Sequence, residues 1–263
     1  MTNHDLVSVQ RTADGVVLLT LDDPDKRNPM SAAMTARWRE VLEPLRTDPE
    51  LRAVVVTGSG PAFCAGAELD ELDSLSKAGL LDSRRRLTAL YRDWLALREL
   101  PVPTIAAING HAIGGGLALA LACDLRYCSE QAKLGSTFVK LGLHAGMATT
   151  AHLVEAVGLQ RAREMLYTGR LVTGAEAARI GLVLEALPAE HVVAAALRVA
   201  HDIAAAAPIA VQLTRAGLRN GPVGTEQGLA WEATAQPLTT MTNDFAEGIT
   251  AARQHRPATF TGR

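Results

Sequence analysis

The sequence predicts an α/β chain with a helical C-terminal region. Apolar, β-branched runs alternate with helical patterns through the first half. Glycine-rich turns follow two of those runs, at Cys64–Glu68 and at Gly114–Gly116. From Thr149 onward the apolar spacing is almost entirely helical.

The elements follow in order. GVVLLTL, residues 15–21, reads as a buried strand, closed by the turn-forming DDPDKRNP. Ser31 is placed to cap a helix over 31–46, with Met34, Trp38, Val41, Leu42 and Leu45 at helical spacing. RAVVVT, residues 52–57, is a second strand, and GSGPAFCAGAEL after it reads as a glycine-rich loop. Residues 69–100 are mostly helical, with a charged middle from Asp82 to Arg86. PTIAAI, residues 103–108, forms a third strand ending at Asn109-Gly110. The triple glycine leads into a helix over 115–122, and residues 124–128 and 132–135 read as further strands. Helices are expected over 149–157, 160–168, 174–180, 188–206, 208–219 and 224–253.

Bulk composition narrows the function classes. A chain of 263 residues, 48% hydrophobic and 21% charged, has enough apolar material for one large domain or two small ones. The net charge of -2 leaves no basic stripe for nucleic acid and no polybasic run for an anionic membrane. Cys64, Cys123 and Cys128 show no metal-like spacing and are odd in number, which favours reduced thiols and a cytoplasmic protein. MTNHDLVSVQ lacks the cationic-then-apolar pattern of a signal peptide. The longest apolar run, around Leu117–Cys123, is far too short to span a membrane. No metal site is expected, because no His/Cys/carboxylate cluster has ligand spacing.

The two glycine turns carry the chemistry. Each exposes backbone N–H groups with no bulky side chain in front. Two such donors, one of them at a helix N-terminus, make a site for an anion or an oxyanion. A preorganised donor of this kind contributes roughly 3–4 kcal/mol to an acyl-transfer transition state. Tight packing of strand on helix is the plainer use of the same glycines. Other motifs fail on spacing. A dinucleotide fingerprint needs glycine where Leu119 stands, and neither a Walker loop nor a G-x-S-x-G elbow is present.

Taken together, DDPDKRNPMS, TGSGPAFCAGAELDEL, PTIAAINGHAIGGGLALALACDLRYCSEQAKLGST and the tail RQHRPATFTGR resemble the crotonase family of enoyl-CoA hydratases and isomerases. The resemblance covers nearly the whole chain. It implies a crotonase-like spiral of ββα units over 1–200 and a helical trimerisation region over 201–263, assembled as a homotrimer or a dimer of trimers. It implies an acyl-CoA thioester as ligand, its carbonyl held between the N–H groups of Ala67 and Gly115. Coenzyme A is then part of the substrate and no separate cofactor is expected. The Ala65 carbonyl would face the adenine amino group. Lys26 and Arg27 stand where the family contacts the CoA nucleotide, and Phe260 where it reaches a neighbouring subunit's nucleotide pocket.

One departure bears on the reaction. Hydratases of this family use two glutamates, one two residues after the triple glycine and one twenty residues further on. Those positions hold Ala118 and Phe138 here. General acid–base groups contribute about 10²–10⁴-fold to a rate, so ordinary hydration would be slow without a substitute. Other members carry a carboxylate in the loop after Leu141-Gly142, which here reads Leu143-His144-Ala145-Gly146. His144 is the expected acid/base, because histidine titrates near neutral pH. His111, Ala118 and Phe138 are expected to line the substrate pocket, with Ser136 and Thr137 beside it. Asp70, Glu71 and Asp73 fit a helix start better than a catalytic role. The reading that competes with an enzyme is a non-catalytic acyl-CoA binding or delivery protein on the same fold.

Overall fold

A computed structural model describes residues 5–219 and 224–263. Its strands are β1 (Val7–Arg11), β2 (Val16–Leu21), β3 (Ala53–Gly58), β4 (Ala62–Cys64), β5 (Thr104–Ile108), β6 (His111–Ile113), β7 (Leu125–Ser129), β8 (Lys133–Gly135), β9 (Val172–Thr173) and β10 (Glu185–Leu187). Its helices are α1 (Ala32–Leu45), α2 (Leu69–Lys77), α3 (Leu80–Leu95), α4 (Gly115–Ala122), α5 (Thr149–Thr168), α6 (Gly174–Arg179), α7 (Ala189–Ala204), α8 (Pro208–Leu218), α9 (Thr225–Thr240) and α10 (Asn243–Gln254).

Two sheets organise the core. The larger has the order β1-β2-β3-β5-β7-β10, and the smaller β4-β6-β8-β9. Only the outer pairs β1/β2 and β8/β9 are antiparallel. Strands 3, 5 and 7 lie in the large sheet, and the strand after each of them lies in the small one. Each pair thus steps from one sheet to the other and turns back, which builds the spiral of ββα units. Every residue of β3 and β5 is buried, as parallel strands covered on both faces must be. One face, with Val54, Val56, Ala106 and Ile108, packs towards α1, α3, α4 and α5. The other face, with Ala53, Val55, Ile105 and Ala107, packs under Val192, Ala195, Ala196 and Ala200 of α7.

The tight corners between the sheets are fastened by two asparagines. Asn109 Oδ1 accepts from the Gly58 N–H at 3.0 Å, and its Nδ2 donates to the Gly60 carbonyl at 3.0 Å. Asn28 is fully buried. Its Nδ2 donates to the carbonyls of Ser59 and Ala62 at 2.9 and 2.8 Å, and its Oδ1 accepts from the Asp23 N–H. A buried amide leaves no room for unpaired donors, so Asn28 fixes the segment 23–30 against the corner before β4.

Several boundaries differ from the sequence expectation. The stretch read as one loop contains β4, whose three residues are too few to show a period. β1, β6 and β10 are likewise short, and β1 is buried only at Val7. Residues 69–100 divide into α2, α3 and a 3-10 turn. The helices expected over 149–157 and 160–168 abut across Gly158, whose φ of 76° is available to glycine at little cost. The single helix expected over 224–253 is two, because Thr242 caps α10 by accepting from the Phe245 N–H at 3.1 Å. Ser31 caps α1 as expected, accepting from the Met34 N–H. Among the described residues no single helix is long and apolar enough to cross a membrane.

Candidate functional site

The two glycine turns meet. β4 ends at Cys64 and β6 ends at Ile113, and these strands are parallel neighbours. Their C-terminal ends therefore deliver Ala65–Glu68 and Gly114–Gly116 to one place. A methyl group on Gly66 would stand 3.0 Å from the Gly115 nitrogen and 2.7 Å from the Ile113 carbonyl oxygen. One on Gly116 would overlap the Cys64 carbonyl. Gly114 has φ 55° and ψ −113°, a conformation a side chain resists. Gly66 and Gly116 are required by close approach of backbone to backbone, and Gly114 by its backbone conformation.

The donors at this junction have no structural employment among the described residues. Gly115 is the first residue of α4, so its N–H lacks the carbonyl one turn back that an interior N–H would use. Ala67 lies after β4 and before the Glu68 that precedes α2, so its N–H belongs to no ladder and no helix. Ala118, by contrast, donates to the Gly114 carbonyl at 3.1 Å and closes the first helical turn. Two unspent N–H groups beside a helix N-terminus form a local positive potential suited to a developing oxyanion.

The segment after β2 runs beside the same turns. Met30 donates its N–H to the Gly66 carbonyl at 2.8 Å, and Ala65 donates its N–H to the Arg27 carbonyl at 3.0 Å. Lys26 Nζ lies 3.7 Å from Glu68 Oε1. Lys26 and Arg27 are exposed, and Ala65 and Ala67 are half-buried. The structure therefore brings Lys26, Arg27, Ala65, Ala67 and Gly115 together. Phe260 lies apart from them within the chain, in a groove of about 230 Å³ with Ile209, Thr242, Phe245 and Gly248.

The remaining predicted residues surround the junction unevenly. Ala118 is fully buried in α4. The Phe138 ring is half-buried and stands 3.8 Å from where a Gly114 methyl would be. His111 is exposed, and its Nδ1 accepts from the Lys133 N–H at 3.1 Å, which ties it to β8. His144 is exposed, with Nδ1 2.7 Å from the Ala145 carbonyl oxygen. A carbonyl only accepts, so Nδ1 carries the proton and Nε2 is the free acceptor. Ser136 is buried, and its Oγ has no partner among the described residues. Asp70 and Glu71 lie in the first turn of α2. Burial pushes the Cys64 thiol up to about 12, so it is a packed residue and not a nucleophile.

Sequence reasoning overlooks three participants. Asn28 and Met30 position the first turn, and Tyr91 of α3 lies against Gly146 in the loop that carries His144. Met147 and Ala148 of that loop both have positive φ, 54° and 55°, an unusual strain for residues with a Cβ. A larger cavity, about 680 Å³, lies away from the turns and is lined by Arg98, Asp124, Arg126, His152 and Arg215. Its size does not outweigh the unspent donors, because Asp124 and Arg215 are already paired at 2.8 Å.

The family model for enoyl-CoA hydratase/isomerase matches residues 11–263. The chain belongs to that family. It is 35% identical over 250 residues to the 2,3-dehydroadipyl-CoA hydratase of Escherichia coli K12, across 94% of this chain and 96% of that protein. It is 33% identical to human mitochondrial methylglutaconyl-CoA hydratase, across 94% of this chain and 74% of that one. A solved enoyl-CoA hydratase of Bacillus anthracis superposes with a TM-score of 0.92 at 34% identity, covering 98% of this chain and all of that one. The crotonase-like α/β fold expected from the sequence is the observed one. Within this family fold, the ends of β4 and β6 form the junction described above, and the positions after it hold Ala118 and Phe138.

Proposed function

We propose that the chain binds an acyl-CoA thioester and acts on it through an enolate whose oxygen is held by the N–H groups of Ala67 and Gly115. The contact between Gly66 and Gly115 carries this reading, because it brings the turn that holds Ala67 against the first residue of α4. Lys26 and Arg27 meet the phosphates of the CoA nucleotide, and the Ala65 carbonyl accepts from the adenine amino group. Coenzyme A belongs to the substrate, and no further cofactor is invoked. His144 is the acid/base, with Ala118 and Phe138 in the places of the usual glutamates, and His111 at the pocket edge.

The C-terminal region from residue 201 serves subunit contact. On α9 and α10 and between them, Leu229, Trp231, Leu238, Met241, Phe245 and Ile249 are exposed, and apolar surface gathered in this way is the mark of an interface. Phe260 then meets the nucleotide pocket of a neighbouring copy. A mass of three or six chains by light scattering is expected, and a monomer would refute this part.

A second reading, an acyl-CoA carrier without turnover, draws on the same donors. Buried Ala118 and the Phe138 ring favour it, since neither moves a proton. Calorimetry with butyryl-CoA and turnover assays with trans-2-enoyl-CoAs of four to sixteen carbons separate the two. Binding with turnover supports the enzyme. Binding with no turnover across the series leaves the carrier, and no binding removes both.

A further inference from the structure

The loop after Gly142 has no carboxylate, but an acidic hydrogen reaches it from another element. Tyr91 projects from α3 onto Gly146. A methyl group at Gly146 would overlap the phenol hydroxyl and stand 2.6 Å from Cζ. Gly146 is buried and two residues beyond His144, so the phenol and the imidazole belong to one loop environment.

We propose that the Tyr91 phenol is the proton donor of this site, delivering a proton to the α carbon of the thioester enolate. The proposal rests on the thioester reading above. Three further observations connect Tyr91 to the elements that carry the donors. α3 packs against α4, whose first residue is Gly115. Leu87, Leu90 and Tyr91 form a half-buried stripe on α3 above fully buried Trp94. Such a stripe is apolar wall with some access, which suits an acyl chain. The Phe138 ring that faces Gly114 opens the same loop, since the Leu143 N–H donates to the Phe138 carbonyl at 3.0 Å.

The phenol suits the acid role and not the base role. Burial raises its pKa above the ordinary tyrosine value, so it is protonated at neutral pH. His144 offers the complementary group, a free Nε2 acceptor. Hydration of an α,β-unsaturated thioester then balances. The water oxygen bonds to the β carbon and its proton passes to His144 Nε2. The carbon–carbon π pair moves to give the enolate, held by Ala67 and Gly115. The enolate takes the phenol proton at the α carbon, and the carbonyl reforms. The tyrosinate regains a proton from the imidazolium through solvent, so both side chains return to their starting states. One water has been added and nothing else is consumed.

The test compares wild type, Tyr91→Phe and His144→Ala in two measurements: butyryl-CoA affinity by calorimetry, and kcat on the enoyl-CoA that wild type hydrates fastest. Tyr91→Phe is expected to lose about 10²-fold in kcat, within the range for a general acid, with affinity unchanged within twofold. Partial recovery of kcat in Tyr91→His, which restores a donor, would support proton transfer over packing. A Tyr91→Phe variant with kcat within threefold of wild type overturns the proposal, as does wild type that binds butyryl-CoA yet hydrates none of the series. A protein that does not bind butyryl-CoA removes the thioester reading and this proposal together.

Discussion

The two halves of the candidate site are built from different materials. The donor half is backbone: Gly66 against Gly115, Gly116 against Cys64, with Met30 and Asn28 bracing the first turn. The half proposed for proton transfer is side chain: His144 on an exposed loop, Tyr91 on α3, and the apolar pair Ala118 and Phe138. Backbone donors are held by the fold itself and cost no rotamer ordering when charge develops. Side chains on separate elements are replaceable one at a time. A chain can therefore keep the first half intact while its chemistry drifts in the second.

The largest expected effect comes from breaking the donor half. Gly115→Val would press a branched side chain on Met30 Sδ, 2.8 Å from the first added carbon, and on Gly66. Gly66→Ala adds a clash at the Ile113 carbonyl at a φ of 87°. Each should displace a donor and reduce turnover by about 10²–10³-fold, the usual effect of losing one oxyanion contact. Butyryl-CoA affinity should fall as well. Calorimetry that finds wild-type affinity in both variants would remove the donor assignment.

A smaller effect, of opposite sign, is expected from restoring the side-chain half. The double variant Ala118→Glu with Phe138→Glu places carboxylates at the two positions. The first of these carboxylates would lie in the opening turns of α4, where the helix dipole favours its negative charge. Burial at that position works against it and raises its pKa. A gain of about 10²-fold in hydration of crotonyl-CoA is expected, the low end for a single general acid–base group. Unchanged hydration in a folded variant with wild-type affinity would show that the apolar pair is not what limits the reaction.

These halves are unequally legible in the sequence, for physical reasons. β2, β3 and β5 announce themselves because strands covered on both faces run as near-continuous apolar stretches. The start of α1 is marked by Ser31, whose capping is local. Glycines that let backbone meet backbone stand in plain view, since no other residue fits. β4 and β6 stay hidden, because three residues carry no period. Tyr91 stays hidden too, because its partner Gly146 lies on another element and only the folded chain joins them. Asn28 looks like a turn residue in sequence, and its burial and four-way bonding exist only once β4 is in place.

The smallest expected effect concerns the C-terminal tail, another part held by side chains. Arg256 donates to both oxygens of Glu247, at 2.6 and 2.8 Å, and the Thr259 N–H donates to the same carboxylate at 3.0 Å. The Arg256 guanidinium and that N–H depress the Glu247 pKa to about 2. A depressed carboxylate stabilises the tail fully above its unfolded value, about 4.5, and loses that contribution as pH falls towards the folded value. The pair is exposed, so the effect is local and screened by salt. Phe260 follows directly on this anchor, against Gly248. Limited proteolysis with pepsin should therefore cut residues 257–263 faster as pH drops from about 4.5 towards about 2, the window between the unfolded and folded values. Glu247→Gln should already show the faster cutting at the upper end of that window. Equal cutting of the two proteins there would show that a second side chain, the Asp244 carboxylate that accepts from the Thr261 and Gly262 N–H groups, holds the tail without Glu247. The tail would still belong to the side-chain part of the comparison, and Phe260 would keep its place when Glu247 is neutralised.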